Sequence, residues 1–422
     1  LMPAGRIADL VGRKRIFIVG IALFTFGSAA CAASPSLGTL IAARAVQGGG
    51  AALMIPTSLA LLLPAFPPER RPLAIGAWGA SNAVAAAVGP GLGGGLVEIA
   101  DWRLVFLINL PIGLVSLLAA ARGLDEYRVP GAERLPDLAG TVALTAGIGL
   151  VILGIVEGNN WGWSSTATLA AFAGGAALAG ATVIRSRRHP VPAIETSLWR
   201  IDGFAGVNVG SFAAGVAFFA FFLGGTLFLT SIWRYSVLDA GLAMSTGAAS
   251  SAVFSPIGGV LMGRVGERIV VFVGGLLFAG ACFWMASKAQ PQPDFLGVFL
   301  PGGILVGAGL GLVFPALAGA AVKGMPPERL GGGIAMNMTA RQIGGAIGVA
   351  LLVALLTAGG NPYDRFIQSW VVCGAVAAAT AVLGLWLIPK GTGRHATAAE
   401  TDRGNISAPS ESRTISSVGS KS

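Results

Sequence analysis

Few residues in this chain have the type and spacing that catalysis or metal binding requires. The cysteines Cys31, Cys282 and Cys373 lie inside apolar runs, and the histidines His189 and His395 lie far apart in polar segments. Neither set has metal-ligand spacing, and the sequence contains no phosphate-binding G-x-x-x-x-G-K-[ST] loop. We therefore expect no enzyme activity, no catalytic residue, no metal and no bound cofactor.

Two arginines are chemically informative because each lies inside a long apolar run. Arg44 is followed one turn later by Gln47, and Arg341 is close to Asn337 and Gln342. A cation inside a membrane helix is costly and is usually kept for a function or a buried partner. The structural alternatives are that Arg44 snorkels to the outer membrane surface and that the Arg341 group only makes hydrogen bonds between helices.

The composition identifies the elements that must carry these side chains. Of the 422 residues, 54% are hydrophobic and only 11% are charged, with a mean hydropathy of +0.76. Soluble domains are about 25% charged, so an ordinary soluble enzyme and a disordered protein are both excluded. An all-α polytopic membrane protein remains.

Twelve segments are long and apolar enough to be membrane-spanning helices. They are 16–33, 37–63, 73–99, 104–121, 138–156, 167–184, 204–229, 238–262, 269–287, 296–320, 331–357 and 367–388. The Ser- and Thr-rich tail, residues 390–422, is predicted to be disordered and cytoplasmic.

The net charge of +9 first suggests a nucleic-acid-binding protein. However, when the predicted connections are assigned alternately to the two sides, 22 Lys and Arg residues lie on one side and 4 on the other. This asymmetry is typical of plasma-membrane proteins, whose basic side is cytoplasmic. It excludes a nucleic-acid partner and predicts that the C-terminus is cytoplasmic.

An internal repeat relates residues 5–14 (GRIADLVGRK) to residues 259–268 (GVLMGRVGER), 254 positions later. Both segments are predicted to be short cytoplasmic loops between helices. In such a loop Asp9 and Arg13 can form an ion pair that opens and closes, which makes them gating candidates.

Further motifs follow in a fixed order. They are residues 44–52 (RAVQGGGAA), Gly76 to Gly94 with the core Gly89, Pro90, Gly93 and Gly94, residues 101–113 (DWRLVFLINLPIG) and residues 341–348 (RQIGGAIG). With the first repeat segment, they resemble the major facilitator superfamily, and in particular its fourteen-helix drug:proton antiporter branch (EmrB/QacA type). Leu10 and Ala85 depart from the family pattern, which usually has Arg and Gly there.

The resemblance implies a two-bundle fold with two extra central helices and twelve of fourteen spans present. Residues 1–121 would be an N-terminal bundle that lacks helix 1 and most of helix 2, so the sequence would be N-terminally truncated. Residues 122–200 would be a linker with two extra transmembrane helices, and residues 201–389 a C-terminal six-helix bundle.

The resemblance also implies roles for particular residues. Arg44 and Gln47 would take part in proton coupling, and Gly89, Pro90, Gly93 and Gly94 would form a gate. Tentative substrate-cavity residues are Trp78, Asn82, Asn109, Asn337, Arg341 and Gln342. The phenylalanines 218, 219, 221, 222 and 228 either line a drug cavity or face lipid.

The leading hypothesis is therefore a secondary transporter that exports hydrophobic drugs or toxic compounds across the plasma membrane in exchange for protons. Its partners would be the lipid bilayer, a small hydrophobic substrate and protons; no oligomeric state is indicated. Two alternatives stay open: an exporter of a neutral or anionic metabolite, and a non-transporting truncated remnant.

Overall fold

The structure is a computed structural model that describes residues 2–62, 65–67, 71–128, 136–323, 325 and 330–388. It describes the side chains of these residues except 2, 6, 59, 71–80, 82, 83, 86, 330 and 331. Within this part every regular element is helical. The helices are α1 (Met2–Val11), α2 (Arg13–Ala32), α3 (Leu37–Leu62), α4 (Arg71–Ile99), α5 (Leu104–Leu107), α6 (Asn109–Gly123), α7 (Leu138–Trp161), α8 (Thr166–Ser186), α9 (Phe204–Ser231), α10 (Val237–Val265), α11 (Glu267–Lys288), α12 (Leu300–Val322), α13 (Leu330–Thr357) and α14 (Pro362–Leu387).

The lengths of these helices match the thickness of a bilayer. Among the described residues, eleven helical stretches are long and apolar enough to cross it, with α5 and α6 counted as one. They correspond to eleven of the predicted segments, and the remaining segment, 73–99, lies within α4. A helix satisfies its own backbone polar groups, which lipid cannot do. The predicted all-helical, multi-pass membrane fold is therefore confirmed.

Polar side chains mark where several helices begin. Asp137, Ser165, Ser236 and Asn361 each accept a hydrogen bond from a backbone N–H in the first turn of α7, α8, α10 and α14, respectively. These N–H groups have no partner within the helix. The caps therefore help to set the boundaries between apolar spans and polar connections.

The two repeat segments were predicted to be loops, and this prediction is wrong for most of their length. Helix α1 continues to Val11 and helix α10 continues to Val265, so a single glycine separates each from the next helix. Gly12 and Gly266 have φ angles of 126° and 82°. Backbones with positive φ strongly favour glycine, so one residue makes the whole turn. The two turns occupy equivalent positions of the 254-residue repeat.

The helices pack into one compact unit over Leu1–Pro389. Helix α9 packs against α13 and α14, α11 packs against α12 and α14, and α10 packs against both α12 and α4. The largest buried cluster lies among α9–α14 and includes Phe228, Phe299 and Trp370. Helices α7 and α8 pair with each other, and α7 contacts α13. The proposed division at residues 121 and 201 stays a prediction, and the predicted disordered tail, 390–422, lies outside the described residues.

Candidate functional site

A cavity of about 510 Å³ lies between α4, α9, α10 and α12. Its wall is mainly aromatic and aliphatic: Phe218, Phe221, Phe222, Phe299, Phe314, Met244, Val306 and Leu310 contribute to it. Thr246 and Ser251 are the polar side chains among its described lining residues, and no Asp, Glu, Lys or Arg is among them. A pocket of this size and polarity suits a small apolar molecule.

The cavity is closed on one side by the crossing of α4 and α10. Gly89 and Pro90 line it, and a Cβ atom at Gly94 would lie 2.5 Å from the carbonyl oxygen of Val237. Gly241, on α10, is packed equally tightly against the carbonyl of Pro90. Gly93 has no atom within 4 Å of its Cβ position. The gating candidates therefore differ in their surroundings: Gly94 is at the helix contact and Gly93 is not.

The five phenylalanines of α9 that were predicted to line a cavity or face lipid separate into three groups, and neither interpretation describes all of them. Phe218, Phe221 and Phe222 line the cavity. Phe219 packs beside Gly345 of α13, and Phe228 is fully buried among the aromatic rings at the other end of α9. The helical period distributes these residues over different faces of one helix.

The tentative cavity residues do not line this cavity within the described part of the chain. The side chains of Trp78 and Asn82 lie outside the described residues. Gln342 is exposed, and Asn109 belongs to a different polar cluster. Asn337 is buried and donates a hydrogen bond of 2.6 Å from Nδ2 to Ser211 Oγ on α9, as the interhelical alternative proposed.

Arg341 is next to the cavity without lining it. Its guanidinium carbon lies 4.8 Å from the centre of the Phe314 ring. Phe314 in turn lines the cavity and contacts Phe218 edge-to-face, with 5.6 Å between ring centres. One aromatic ring therefore connects Arg341 to the apolar pocket.

A second polar group, which we call the Arg44 cluster, joins α2, α3 and α6. It consists of Arg44, Gln47, Ser28 and Asn109. Arg44 Nη1 donates to Gln47 Oε1, and Gln47 Nε2 donates to Ser28 Oγ at 2.6 Å. Asn109 Nδ2 donates to the same oxygen at 3.3 Å. Gln47 and Ser28 are buried, so these bonds are made where unpaired polar groups are costly.

The Arg44 cluster combines two predicted residues with one that was predicted for another place. Arg44 and Gln47 were expected together because they are one helical turn apart. Asn109 was assigned to the substrate cavity, and Ser28 was missed, because only the packing of three helices shows that they meet. The recorded partners of Arg44 in the described residues are neutral: Gln47 and the ring of Phe106.

The predicted cytoplasmic pair is formed. Arg13 Nε lies 2.9 Å from Asp9 Oδ1, one turn earlier. Arg13 Nη1 also donates to the carbonyl oxygen of Ala60 at 2.8 Å, and its guanidinium covers the ring of Tyr127 at 4.8 Å. Arg13 therefore connects α1, the end of α3 and the segment after α6.

Glu126 is a further member of this group that the sequence did not indicate. Its carboxylate accepts hydrogen bonds from the backbone N–H groups of Lys14 and Arg15, at the first turn of α2. A carboxylate is stabilised at a helix N-terminus by the free N–H groups and by the helix dipole. A Cβ atom at Gly12 would lie 2.5 Å from this carboxylate, so Gly12 also leaves space for it.

Asp137, just before α7, has a buried carboxylate. Arg185 Nε lies 2.7 Å from Asp137 Oδ1, and the N–H of Gly140 donates to the same oxygen at 2.8 Å. Burial alone would raise the pKa of Asp137, but these hydrogen bonds outweigh it and hold the pKa below its usual value. The ion pair fastens the start of α7 to the end of α8.

Comparison with known proteins gives a consistent result. The family model "Major Facilitator Superfamily" matches residues 1–183 and 207–419. "Multidrug resistance protein Stp" of Mycobacterium tuberculosis is 32% identical over 360 residues, which cover 85% of this chain and 66% of that protein. "Cephamycin export protein CmcT" of Amycolatopsis lactamdurans is 34% identical, over 91% of this chain and 81% of that protein. "Tetracenomycin C resistance and export protein" of Streptomyces glaucescens is 30% identical, over 88% and 68%.

Solved structures agree on the fold. A POT family peptide transporter in complex with sulfate superposes with a TM-score of 0.63 at 18% identity, over 92% of this chain and 82% of that one. The human organic anion transporter MFSD10 superposes with a TM-score of 0.57 at 17% identity, over 92% and 79%. At this identity the likeness concerns the fold alone.

Proposed function

The chain belongs to the major facilitator superfamily, and we propose that it works as a secondary active transporter that exports hydrophobic compounds in exchange for protons. The observation that carries this proposal is the aromatic cavity of about 510 Å³ between α4, α9, α10 and α12. Relatives whose names include export or multidrug resistance support the direction of transport. The chain spans 66% of the length of Stp.

The cavity suggests how a substrate is held. Its phenylalanine rings offer apolar area and stacking surfaces, while Thr246 and Ser251 offer hydroxyl groups. Release of the substrate requires that the close contact between α4 and α10 at Gly94 and Gly241 separates. Opening and closing of this contact is the alternating access expected between two halves of a transporter.

We propose the Arg44 cluster as the site of proton coupling. The recorded partners of Arg44 are neutral, so its positive charge is not balanced by an ion pair among the described residues. A proton gained or lost nearby would change the net charge of a region where charge is costly. Such a change would shift the equilibrium between inward- and outward-open states.

The charge distribution of the sequence supports an orientation in the plasma membrane. Because 22 basic residues lie on one predicted side and 4 on the other, we infer that the C-terminus is cytoplasmic. Substrate would then leave the cell when the α4–α10 contact opens.

The test is accumulation of three fluorescent compounds in a bacterium that lacks its own efflux pumps: ethidium, a lipophilic cation, Nile red, which is neutral, and 1-pyrenebutyrate, an amphipathic anion. The chain should lower the accumulation of at least one compound, and a protonophore should abolish the difference. Arg44→Ala should lose most proton-dependent export. Arg365→Ala is the control, because Arg365 bonds only to neighbouring groups at an exposed helix start.

Accumulation equal to that of the empty vector for all three compounds would contradict the proposal and favour the non-transporting alternative. Export that survives both the protonophore and Arg44→Ala would contradict proton coupling through Arg44 but not export itself.

A further inference from the structure

Arg341 carries a positive charge near the middle of the membrane. It is eleven residues from the start of α13 at Leu330, which places it about 16 Å along the helix. The hydrocarbon core of a bilayer is about 30 Å thick. At this depth a side chain has no short path to either surface.

The described residues do not neutralise this charge. Their ion pairs join Arg13, Arg15, Arg103, Arg185 and Lys323 to carboxylates, and none includes Arg341. Its recorded contact is with the face of the Phe314 ring. A cation–π contact compensates only part of the cost of burying a guanidinium.

Phe314 places this uncompensated charge next to the cavity. The same ring lines the apolar cavity, so the guanidinium and the cavity both contact one aromatic side chain. Arginine binds carboxylates through two parallel N–H···O bonds, and in a low-dielectric environment such pairs are strong. A rotation of the Phe314 side chain would bring an anion in the cavity to Arg341.

We propose that the substrates of this chain are amphipathic anions: molecules with an apolar body, held by the phenylalanine rings of the cavity, and one carboxylate that pairs with Arg341. This inference rests on the proposed function and specifies its substrate class. The cavity lining supports it, because the described lining contains aromatic rings for the body and no carboxylate that would repel the anion.

The test measures binding of two probes to the purified chain: 1-pyrenebutyrate, which carries a carboxylate, and its methyl ester, which does not. Both have the same apolar body. The chain should bind the acid more tightly than the ester. Arg341→Gln should weaken binding of the acid about ten-fold or more and leave binding of the ester within about two-fold. Arg341→Lys should keep most of the preference, because it keeps the charge.

A second variant should change the preference for the acid over the ester in the opposite direction, and it keeps the charge of Arg341. Phe314→Ala removes the ring that contacts both the guanidinium and the cavity and gives an anion more room to reach Arg341, so the preference for the acid over the ester should increase. A role of Arg341 in folding alone would not produce opposite changes in the two variants.

Equal binding of acid and ester, or an equal effect of Arg341→Gln on both, would overturn the anion proposal and leave the hydrophobic export function standing. Absence of binding for both probes would overturn the anion proposal and also count against the cavity as the substrate site.

Discussion

At the scale of single residues, the Arg44 cluster depends on one small hydroxyl group. Ser28 Oγ accepts hydrogen bonds from both Gln47 and Asn109 and so joins three helices. Gln47 cannot hold Arg44 in place on α3 unless its own amide group is fixed. Loss of the hydroxyl would therefore affect residues that Ser28 does not contact directly.

We predict that Ser28→Ala lowers the stability of the chain by about 0.6–2 kcal/mol, the range found for hydrogen bonds between membrane helices. Thermal unfolding in detergent measures this effect. Ser287→Ala is the matched control, because Ser287 is exposed and donates only to a carbonyl of its own helix, that of Trp284. Equal unfolding temperatures for the two variants would contradict the prediction.

The ion pair of Asp137 makes a prediction about pH. The folded-state pKa of Asp137 is lower than usual, so the pair stabilises the fold fully above the unfolded-state pKa of about 3.9. This contribution disappears as the pH falls through the lower, folded-state pKa. Asp137→Asn should thus unfold at a lower temperature than the unmodified chain at pH 7, and the difference should shrink below about pH 4.

Asp125→Asn is the control for this experiment, since Asp125 is exposed and lies in the same connection between helices. It should leave the unfolding temperature nearly unchanged at neutral pH. A difference in unfolding temperature between Asp137→Asn and the unmodified chain that grows as the pH falls would contradict the prediction.

At the scale of elements, the crossing of α4 and α10 decides how the cavity is closed. Helix α4 presents a run of glycines, yet only some of them lie at the contact. Gly94 approaches the backbone of Val237 and Leu238, whereas Gly93 faces open space. The side chains of adjacent residues in a helix point about 100° apart. Whether a glycine of α4 lies at the contact therefore depends on the direction in which its side chain would point.

We predict that Gly94→Val destabilises the chain by about 1–3 kcal/mol, the usual cost of overpacking, and increases passive leak of protons through proteoliposomes. The added side chain would force α4 and α10 apart. Gly93→Val provides the control on the same helix and should change neither quantity much. Similar effects of both substitutions would show that helix propensity, rather than the contact, determines the outcome.

At the scale of the whole molecule, the two repeat segments form the same glycine turn, but the charged residues beside the turn differ. In both, a glycine with positive φ separates two helices. In the first half Arg15 follows it and pairs with Glu126 at 3.6 Å, whereas in the second half Glu267 follows it and pairs with Lys323 at 2.7 Å. The glycine turn is thus repeated, whereas the residue that follows it in the ion pair is basic in one half and acidic in the other.

The distribution of basic residues predicts the orientation of the chain in the membrane, and fusion proteins can test it. Green fluorescent protein fused after residue 390 should fluoresce, because it folds only in the cytoplasm. Alkaline phosphatase fused after residue 163, between α7 and α8, should be active, because it folds only outside. The reverse pattern would contradict the proposed orientation.

The amino-acid sequence was sufficient to predict the all-helical membrane fold, eleven of the spanning segments, the repeat and the family resemblance. These depend on local composition and on spacing along the chain, since a bilayer requires about 20 apolar residues for each span. The sequence also placed Gln47 one helical turn from Arg44. It predicted the pair of Asp9 and Arg13 too, although in a loop and not next to a helix turn.

Which distant side chains meet depends on how the helices pack and could not be predicted from the sequence. Ser28 and Asn109 join the Arg44 cluster, Glu126 binds the first turn of α2, and Phe314 connects Arg341 to the cavity. In uniformly apolar helices, periodicity does not show which face meets a neighbour. Packing between helices, at positions 19 to 112 residues apart, sets these contacts and so sets the composition of the candidate site.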